Sequence, residues 1–344
     1  MELKYKRVLH GCLICAFFLL NGGCDRRLET NLYSEVIKMR QQRKTLDIEK
    51  LHEVSLIGYN VRDFEVVEGE VILFDRITSS ILGFKNNLPP SILVKNGPGP
   101  MECQLPVSML RFENGISFVD RTLSSFKTLL NDTTLRHLMK INNDISDAVV
   151  ISDSSFVVSH SSPGFTLGLS HYKIDNDKWV EESIRSTDFE EHGATISHDG
   201  FLAISSCGNV AYAPYLISKF YNIQSINIAE NKEVVSYPLI YTLPEPEVYV
   251  DETSAMALES TIHLVDIDVS CNIFYALNVI SDVEDAIYID LYGLKAGSYF
   301  GSYKLPIIND IDRPKSFRVN PSIGELYVLY EEKIVVYKTN GTGG

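Results

Sequence analysis

Short apolar runs separated by small polar residues dominate the chain from residue 51 onward. The runs are rich in Val, Ile, Phe and Tyr, and Asn, Asp, Gly and Ser stand between them, which is the pattern of β-strands joined by turns. The pattern predicts strands at Gly69–Asp75, Gly115–Asp120, Ala148–Ser154, Phe156–His160, Val210–Tyr215, Ile262–Val269, Ile273–Asn278, Ala286–Tyr292, Glu325–Tyr330 and Ile334–Lys338. Long periodic helices are missing from this region, and Leu135–Ile141 is expected to form no more than a helical turn.

The predicted strands recur in similar units, each made of a small turn, a strand, a turn and a second strand. Glu70–Asp75 is followed by Ser80–Phe84, and Gly115–Asp120 is followed by Ser125–Leu129. Repeats of about 40–50 residues with four strands each are typical of propeller blades, so the sequence predicts a β-propeller of six or seven blades. A pair of β-sandwiches is the alternative, because regularly spaced short strands suit either fold. We expect the first strand, near residues 53–66, to pair into the last blade and close the ring.

The N-terminus has the three-part order of an export signal. A basic stretch ending at Arg7 precedes the apolar run Val8–Leu20, and small residues then lead to Cys24. This order is typical of a secretory signal, and the run is shorter than the roughly 20 residues of a membrane-spanning helix. It resembles a bacterial lipoprotein signal, in which the cysteine thiol is acylated and becomes the new N-terminus. We predict a signal peptide at residues 1–23 and lipidation of Cys24, with an uncleaved anchor as the alternative.

A polar segment at residues 24–50 is predicted to tether the lipid to a propeller at residues 51–340. Leu32–Gln42 within it is compatible with one short helix. Its basic residues would favour an anionic bilayer surface, and a solvated linker is the alternative. We expect a location in the cell envelope with the outer membrane favoured, although Asp25 directly after Cys24 resembles the inner-membrane retention signal of enteric bacteria.

The charge balance and the cysteines narrow the possible partners and compartments. The chain has 31 Lys and Arg against 45 Asp and Glu, a formal net charge of −14. Nucleic acid is therefore not an expected partner, because its phosphates require a basic surface. Beyond the signal and Cys24 the cysteines are Cys103, Cys207 and Cys271. We expect them to be buried and reduced, with one disulfide and one free thiol as the alternative.

A loop early in the repeat region carries a resemblance to a known family. The segment Asp75–Val107 resembles the first blades of the six-bladed, TolB-like or NHL-like propeller lipoproteins of Bacteroidetes. These proteins often have a Gly-x-Gly-Pro-Gly-Glu loop between early blades, and Gly97–Gly99 matches its centre. Pro100 stands where the family has glutamate, and Glu102 follows two positions later. The glycines and prolines make a rigid turn, and the Gly-Lys-Ser/Thr ending of a phosphate loop is absent.

A second segment, Tyr288–Tyr292 followed by Gly301–Pro306, is similar to the last-but-one blade of the same family. The resemblance implies a six-bladed propeller and an envelope location. It carries over no catalytic residue, no cofactor and no metal site.

Candidate catalytic or metal-binding groups are densest in one short segment, which contains Glu190, Glu191, His192, His198 and Asp199. Their spacing matches no metal-binding motif such as HExxH, so a polar loop between blades is expected. His160 and His171 bracket a Ser-Ser-Pro-Gly segment, but the Gly-x-Ser-x-Gly elbow of serine hydrolases is absent from the sequence. We therefore assign no catalytic residue.

Acidic clusters, one Asp-Thr-Thr segment and several tyrosines each have both a structural and a functional interpretation. The acidic clusters Asp282–Asp285 and Asn309–Asp312 are compatible with Ca²⁺ but match no EF-hand loop. Asp132–Thr134 resembles an O-glycosylation acceptor and equally a plain turn. Tyrosines at 212, 215, 221, 237, 241 and 249 would stack on sugars or peptides if exposed, and core filling is the favoured interpretation.

The leading functional hypothesis is a membrane-anchored binding or scaffold module for an envelope protein or a glycan. The alternative is a carbohydrate-active enzyme, a lyase or hydrolase, with its site in the propeller channel. An enzyme predicts histidines and carboxylates with shifted pKa values at the channel. Histidines 160, 171, 192 and 198 therefore discriminate between the two hypotheses.

Overall fold

The computed structural model describes the propeller region with short gaps. The described residues are 38, 45–67, 70–84, 89–99, 102–112, 115–130, 134–141, 145–152, 154–162, 166–184, 186–189, 194, 198–223, 234–240, 247–250, 255–258, 264–278, 286–308 and 312–339. The predicted signal peptide and Cys24 lie outside them, and of the expected helix Leu32–Gln42 only Lys38, in helical conformation, is described. Among the described residues, no helix has the length and apolar character needed to cross a membrane.

The strands form six antiparallel blades. Blade 1 contains β3 (Val61–Val67), β4 (Glu70–Asp75), β5 (Ser80–Phe84) and β6 (Ser91–Asn96), with the short parallel strand β7 (Glu102–Cys103) at its edge. Blade 2 contains β8 (Pro106–Phe112), β9 (Gly115–Asp120), β10 (Ser125–Leu130) and β11 (Thr134–Lys140). Blade 3 contains β12 (Ile145–Ser152), β13 (Ser155–Ser162), β14 (Thr166–Asp175) and β15 (Lys178–Ile184).

The second half of the ring follows the same plan. Blade 4 contains β16 (Gly200–Ile204), β17 (Val210–Pro214), β18 (Lys219–Ile223) and β19 (Val235–Pro238). A separate hairpin, β20 (Glu247–Val250) with β21 (Ala255–Leu258), precedes blade 5, which contains β22 (Leu264–Val269), β23 (Ile273–Asn278), β24 (Ala286–Gly293), β25 (Tyr299–Pro306) and the short parallel strand β1 (Thr45–Leu46). Blade 6 contains β26 (Ser316–Asn320), β27 (Glu325–Leu329), β28 (Lys333–Thr339) and β2 (Ile48–Ser55). One 3₁₀ turn, Thr187–Phe189, connects blades 3 and 4.

The first strand of each blade is the innermost one, and these strands contact one another in order around the ring. The contacts run from β3 to β8, β12, β16, β22 and β26, and β26 contacts β3 again. The ring is therefore closed, and the sequence expectation of a β-propeller is confirmed with six blades.

An N-terminal strand closes the ring from the outside. β2 pairs antiparallel with β28 along its whole length and is the outermost strand of the last blade. The sequence predicted that the first strand, near residues 53–66, would pair into the last blade. The pairing is observed, but the second part of that range, Val61–Val67, is the innermost strand of blade 1. The pairing strand β2 begins at Ile48, inside the range 24–50 that was expected to be a tether. The sequence resembles a polar linker there because most side chains of this strand are exposed. Its pairing covers the outer edge of β28.

Neighbouring blades pack face to face through apolar and aromatic side chains. Phe126 of blade 2 stacks on Phe156 of blade 3 at 4.6 Å between ring centroids, and Phe220 of blade 4 stacks on Phe274 of blade 5 at 4.1 Å. A middle strand such as β4 is buried along its whole length because another blade covers each of its faces. This double burial accounts for the continuous apolar runs in the sequence.

The expected helical turn at Leu135–Ile141 is wrong. Residues Thr134–Lys140 are strand β11, whose backbone pairs with β10 in antiparallel register. The spacing of Leu135, Leu138 and Met139 matches one helical face, but the backbone hydrogen bonds available at the edge of blade 2 override this local preference.

The loop between β6 and β7 has the structural role that its composition predicts. The carboxylate of Glu102 accepts a hydrogen bond from the N–H of Gly99 at 3.0 Å, and the N–H of Gly97 donates to the carbonyl of Cys103 at 2.9 Å. A Cβ atom at Gly97, whose φ is +152°, would overlap the Glu102 carboxylate. The glutamate two positions late therefore still caps the glycine turn.

A disulfide joins two blades. Cys207 and Cys271 are bonded, with 5.4 Å between their Cα atoms, and each lies in the turn between the first two strands of its blade, blade 4 and blade 5 respectively. The expectation of three reduced cysteines is therefore wrong for this pair, whereas Cys103 is a buried free thiol. The two bonded residues are 64 positions apart and meet only because blades 4 and 5 are adjacent.

Candidate functional site

A cavity of about 230 Å³ occupies the central channel, and all six innermost strands contribute to its wall. Its acidic side chains are Asp63, Glu65, Asp147, Asp266 and Asp268, and its basic side chains are Arg121, Lys315 and Arg318. Side chains two residues apart on a strand point to the same side. Asp63 with Glu65, and Asp266 with Asp268, therefore face the channel together.

Arg318 is the hub of the channel. Its guanidinium lies 2.8 Å from Asp63 and 3.0 Å from both Glu65 and Asp266. Its side chain is only 16% exposed, and it lies over the ring of Phe64 at 5.4 Å. Burial lowers the pKa of Arg318, but the surrounding carboxylates outweigh this effect and hold the pKa above its ordinary value. One cation therefore joins blades 5, 6 and 1.

Several channel side chains also join neighbouring blades through backbone hydrogen bonds. Asp147 accepts from the N–H of Leu202 at 2.7 Å, and Asp268 accepts from the N–H of Val319 at 2.6 Å. In each pair the acceptor is on the innermost strand of one blade and the donor is on the innermost strand of the next. Hydrogen bonds to charged groups contribute about 1.5–3 kcal/mol each, so these bonds stabilise the ring.

Burial changes the ionisation of the channel carboxyl groups. Burial raises the pKa of Glu65 to about 8, although Arg318 acts in the opposite direction. It raises the pKa of Asp147 to about 7 and that of Asp268 to about 6. Burial therefore opposes the ionisation of these carboxyl groups, and Arg318 counteracts this effect at Glu65.

The rim of the cavity is aromatic and cationic on one side. Arg121 lies in the turn between the second and third strands of blade 2, and Tyr215 follows the second strand of blade 4. In antiparallel blades, all turns of this kind open on one face, which we call the mouth face. Phe201 and Tyr215 meet edge to face at 4.6 Å. Burial raises the pKa of nearby Asp199, and Arg121 partly counteracts this shift.

The described histidines lie in the bodies of the blades or between them. His160 and His171 are in β13 and β14, and His198 precedes β16. Among the residues that the structure describes, no histidine lines the channel cavity. Burial lowers the pKa of His198 to about 4, so it is neutral at physiological pH. His192, Glu190 and Glu191 lie outside the described residues.

The remaining candidates from the sequence are accounted for as far as they are described. Tyr212 and Tyr221 are buried in the core between blades 3 and 4, and Tyr215 lines the channel cavity. Asp312 accepts a hydrogen bond from the N–H of Glu331 at 3.0 Å. The segment Asp282–Asp285, residues 309–311, Asp132, Thr133 and Tyr241 lie outside the described residues, and only the backbone of Tyr249 is described. Within the described part of the chain, no group of three or more His, Cys, Asp or Glu side chains is arranged to hold a metal ion.

The channel residues were not among the site residues predicted from the sequence. The alternation Asp266-Ile267-Asp268 falls inside a predicted strand, and period-two alternation places both carboxylates on one face. Arg318 is the charged residue of the segment Ser316–Asn320. An acidic pair on one strand face with a basic residue on another strand is the signal that was available.

Comparisons with known proteins agree on the fold. No family model matches the chain, and no curated protein matches it. A solved structure of a streptogramin B lyase has a TM-score of 0.50 and 12% sequence identity, over 81% of this chain and 79% of that one. Virginiamycin B lyase from Staphylococcus aureus has a TM-score of 0.48 and 10% identity over 85% of this chain and 99% of its own. A putative gluconolactonase has a TM-score of 0.48 and 11% identity over 86% and 92%. At 12% identity, the similarity to the streptogramin B lyase structure shows the fold alone, and the chain is a six-bladed β-propeller.

Proposed function

We propose that this protein is a binding module whose channel mouth takes a small hydroxylated ligand, such as the terminal sugar of a glycan, and that an acylated Cys24 anchors it in the cell envelope. The observation that carries the proposal is the channel cavity of about 230 Å³. It is of a size to hold one sugar ring, and it opens beside Tyr215 and Arg121. Aromatic side chains with a polar tip suit contact with sugars.

The chemistry of the wall supports a ligand with many hydroxyl groups. A sugar needs hydrogen-bond donors and acceptors close together, and binding sites place a few such groups in a concave wall. A carboxylate oxygen accepts more than one hydrogen bond, so Asp63 and Asp266 can also accept from a ligand while Arg318 holds them. Arg121 and Lys315 supply donors near the rim. Glu65, with its pKa raised to about 8, supplies a carboxyl that donates and accepts.

Binding is favoured over catalysis because the carboxylates are already engaged. Asp147 and Asp268 hold backbone N–H groups of the next blade, and Arg318 holds Asp63 and Glu65. A group that moves during catalysis would have to give up these bonds. None of the described histidines lines the cavity, and His192 lies outside the described residues.

The membrane anchor rests on the sequence at Cys24. The basic stretch, the apolar run Val8–Leu20 and the small residues before Cys24 support export followed by acylation. An anchored propeller would present its binding face beside other envelope components. This location agrees with a glycan or an envelope protein as the partner.

The test is a glycan-array screen with the detergent-purified full chain. The proposal predicts enrichment of a defined glycan class by the wild type and its loss in Tyr215→Ala. The control is Phe300→Ala, which removes an aromatic side chain 50% exposed on the outer strand β25, away from the channel. Equal binding by both variants would contradict a site in the channel mouth.

A carbohydrate-active enzyme with its site in the channel is the second candidate, and one observation favours it. Glu65 and Asp147 have pKa values of about 8 and about 7, which are suitable for general acids at neutral pH. Any glycan that binds should therefore also be incubated with the protein and analysed for cleavage by mass spectrometry. Cleavage that is lost in Glu65→Gln, a variant that keeps the side-chain volume, would replace the binding proposal with this one.

A further inference from the structure

A serine, a histidine and a glutamate lie next to one another across three adjacent strands of blade 3. Ser155 begins β13, His171 is in β14 and Glu182 is in β15. His171 is directly opposite Glu182 in the strand register, and Ser155 is opposite Lys173, two residues further along β14. The three side chains therefore share one face of the blade. They lie outside the channel cavity.

The distances follow the order nucleophile, base and orienting acid. The Ser155 hydroxyl oxygen is 2.7 Å from Nε2 of His171, and Nδ1 of His171 is 3.5 Å from a carboxylate oxygen of Glu182. Within the described residues, neither His171 Nδ1 nor that oxygen of Glu182 has a hydrogen-bond partner, although both atoms are buried. The two atoms thus face each other and need only a small movement to bond. Such contacts are often long before a substrate binds.

The protonation states suit a general base. Burial lowers the pKa of His171, and the opposing effect of Glu182 is smaller, so the imidazole is neutral at pH 7. The second oxygen of Glu182 is held by Lys173 at 2.7 Å, and hydrogen bonding to Lys173 keeps the pKa of Glu182 low. Ionised Glu182 favours the tautomer with the proton on Nδ1, which leaves Nε2 to accept the Ser155 proton.

A second serine, Ser170, also lies beside a histidine and a glutamate, but its geometry differs. Ser170 donates its proton to Glu181 at 2.8 Å, so the proton is not directed at His160, whose Nε2 is 3.0 Å away. Ser170 is also 2% exposed, whereas Ser155 is half-buried beside the turn that follows β12. Ser170 is therefore a matched control in the same blade.

We propose that Ser155 is a nucleophile activated by His171, with Glu182 as the positioning residue, and that this site hydrolyses small carboxylic esters. The turn beside Ser155 opens on the face opposite the mouth face, because it joins the first and second strands of blade 3. The site is therefore separate from the ligand site proposed in the channel. No Gly-x-Ser-x-Gly elbow is needed, because a triad is defined by geometry and roles.

The reaction balances with water as the only co-reactant. Ser155 Oγ forms a bond to the ester carbonyl carbon while its proton passes to His171 Nε2. The ester C–O bond then breaks, and the leaving alcohol takes that proton from Nε2. Water then attacks the acyl carbon while its proton passes to Nε2. The bond between the acyl carbon and Oγ breaks, Oγ takes the proton back from Nε2, and the products are the carboxylic acid and free Ser155.

The test is covalent labelling of the full chain with a fluorophosphonate probe, followed by peptide mass spectrometry. The proposal predicts a single adduct on Ser155, its absence in Ser155→Ala and labelling at least tenfold slower in His171→Asn. Ser170→Ala should label like the wild type. Absence of an adduct on folded wild type, or an adduct that persists in Ser155→Ala, would overturn the proposal.

Further measurements separate the chemical role from folding. The variant Ser155→Cys should react with iodoacetamide faster than the double variant that carries both Ser155→Cys and His171→Asn. Equal rates would overturn the role of His171 as base. The pH dependence of the labelling rate should be shifted in Glu182→Gln relative to the wild type. If the role of Glu182 were purely structural, the variant would have a lower amplitude of labelling and the same pH dependence. Circular dichroism melting confirms that each variant is folded.

Discussion

The guanidinium of Arg318 lies 2.8 Å from the carboxylate of Asp63, although the two residues are 255 positions apart. Arg318 is on the innermost strand of the last blade and Asp63 is on the innermost strand of the first. The ring is therefore closed twice, outside by the backbone pairing of β2 and inside by this ion pair. The inner closure also takes in Glu65 and Asp266.

Removing Arg318 is predicted to destabilise the propeller strongly. Arg318→Met leaves several buried carboxylates without their counter-charge, and breaking a buried ion pair on one side costs about 3–5 kcal/mol. Urea unfolding at pH 7 measures the change in the free energy of unfolding. The control is Arg76→Met, which changes an exposed arginine in a turn of blade 1. Equal stability of the two variants would mean that the inner closure contributes nothing.

The stability of the protein is predicted to fall as the pH rises from about 6.5 to 8.5. The folded pKa values of Glu65 and Asp147, about 8 and about 7, lie above those of the unfolded chain, so the folded state binds more protons in this range. The free energy of unfolding then decreases with pH by at most about 1.4 kcal/mol per pH unit for each group. The lowered pKa values of His160, His171 and His198 act mainly below pH 6.5.

Asp147→Asn tests this pH dependence directly. The amide oxygen still accepts the hydrogen bond from the N–H of Leu202, but the group no longer ionises. The variant should lose less stability than the wild type between pH 6.5 and 8.5, as measured by urea unfolding. Asp175→Asn, at an exposed position in β14, is the control and should follow the wild type. A wild-type stability that rises over this range would contradict the raised pKa values.

The disulfide between Cys207 and Cys271 is predicted to stabilise the ring at the boundary of blades 4 and 5. It closes a loop with a sequence separation of 64 residues, for which the chain-entropy model gives about 4 kcal/mol. Reduction with dithiothreitol should lower the urea midpoint of the wild type. The double variant Cys207→Ala with Cys271→Ala should have the lower midpoint already and should not respond to the reductant. A wild-type midpoint that is unchanged by reduction would contradict the prediction.

Lipidation of Cys24 is predicted to decide the location of the protein. Cys24→Ala should abolish incorporation of labelled palmitate and move the protein out of the membrane fraction. Cys15→Ala is the matched control, because it removes a cysteine from the predicted signal peptide and keeps the acylation site. Palmitate labelling that persists in Cys24→Ala would rule out this residue as the anchor.

The sequence predicts some strands well and others poorly for a physical reason. Glu70–Asp75 and Ile273–Asn278 lie in the middle of their blades with both faces covered, so the residues between their ends are hydrophobic and the run is obvious. Edge strands such as Ile48–Ser55 have one covered side and many charged residues, and they read as linker. Thr134–Lys140 has helical spacing and becomes a strand only through its neighbour.

The candidate sites depend on contacts that local sequence does not contain. Arg318 meets Asp63 and Glu65 only after the ring closes, and Cys207 meets Cys271 only when blades 4 and 5 stand side by side. Known histidine motifs join residues that are close along the chain, whereas the partners of these histidines come from adjacent strands or blades. Side chains two residues apart in a predicted strand share a face, and this rule pairs Asp266 with Asp268 from the sequence.

Calorimetric titration of an array-selected glycan measures whether the channel mouth binds it. The proposal predicts that Tyr215→Ala and Arg121→Ala each weaken binding at least tenfold, whereas Phe300→Ala leaves the affinity unchanged. Tyr215 contributes an aromatic face at the cavity, and Arg121 contributes donors at its rim. Affinities that are the same for all four proteins, including the wild type, would contradict a binding site at the channel mouth.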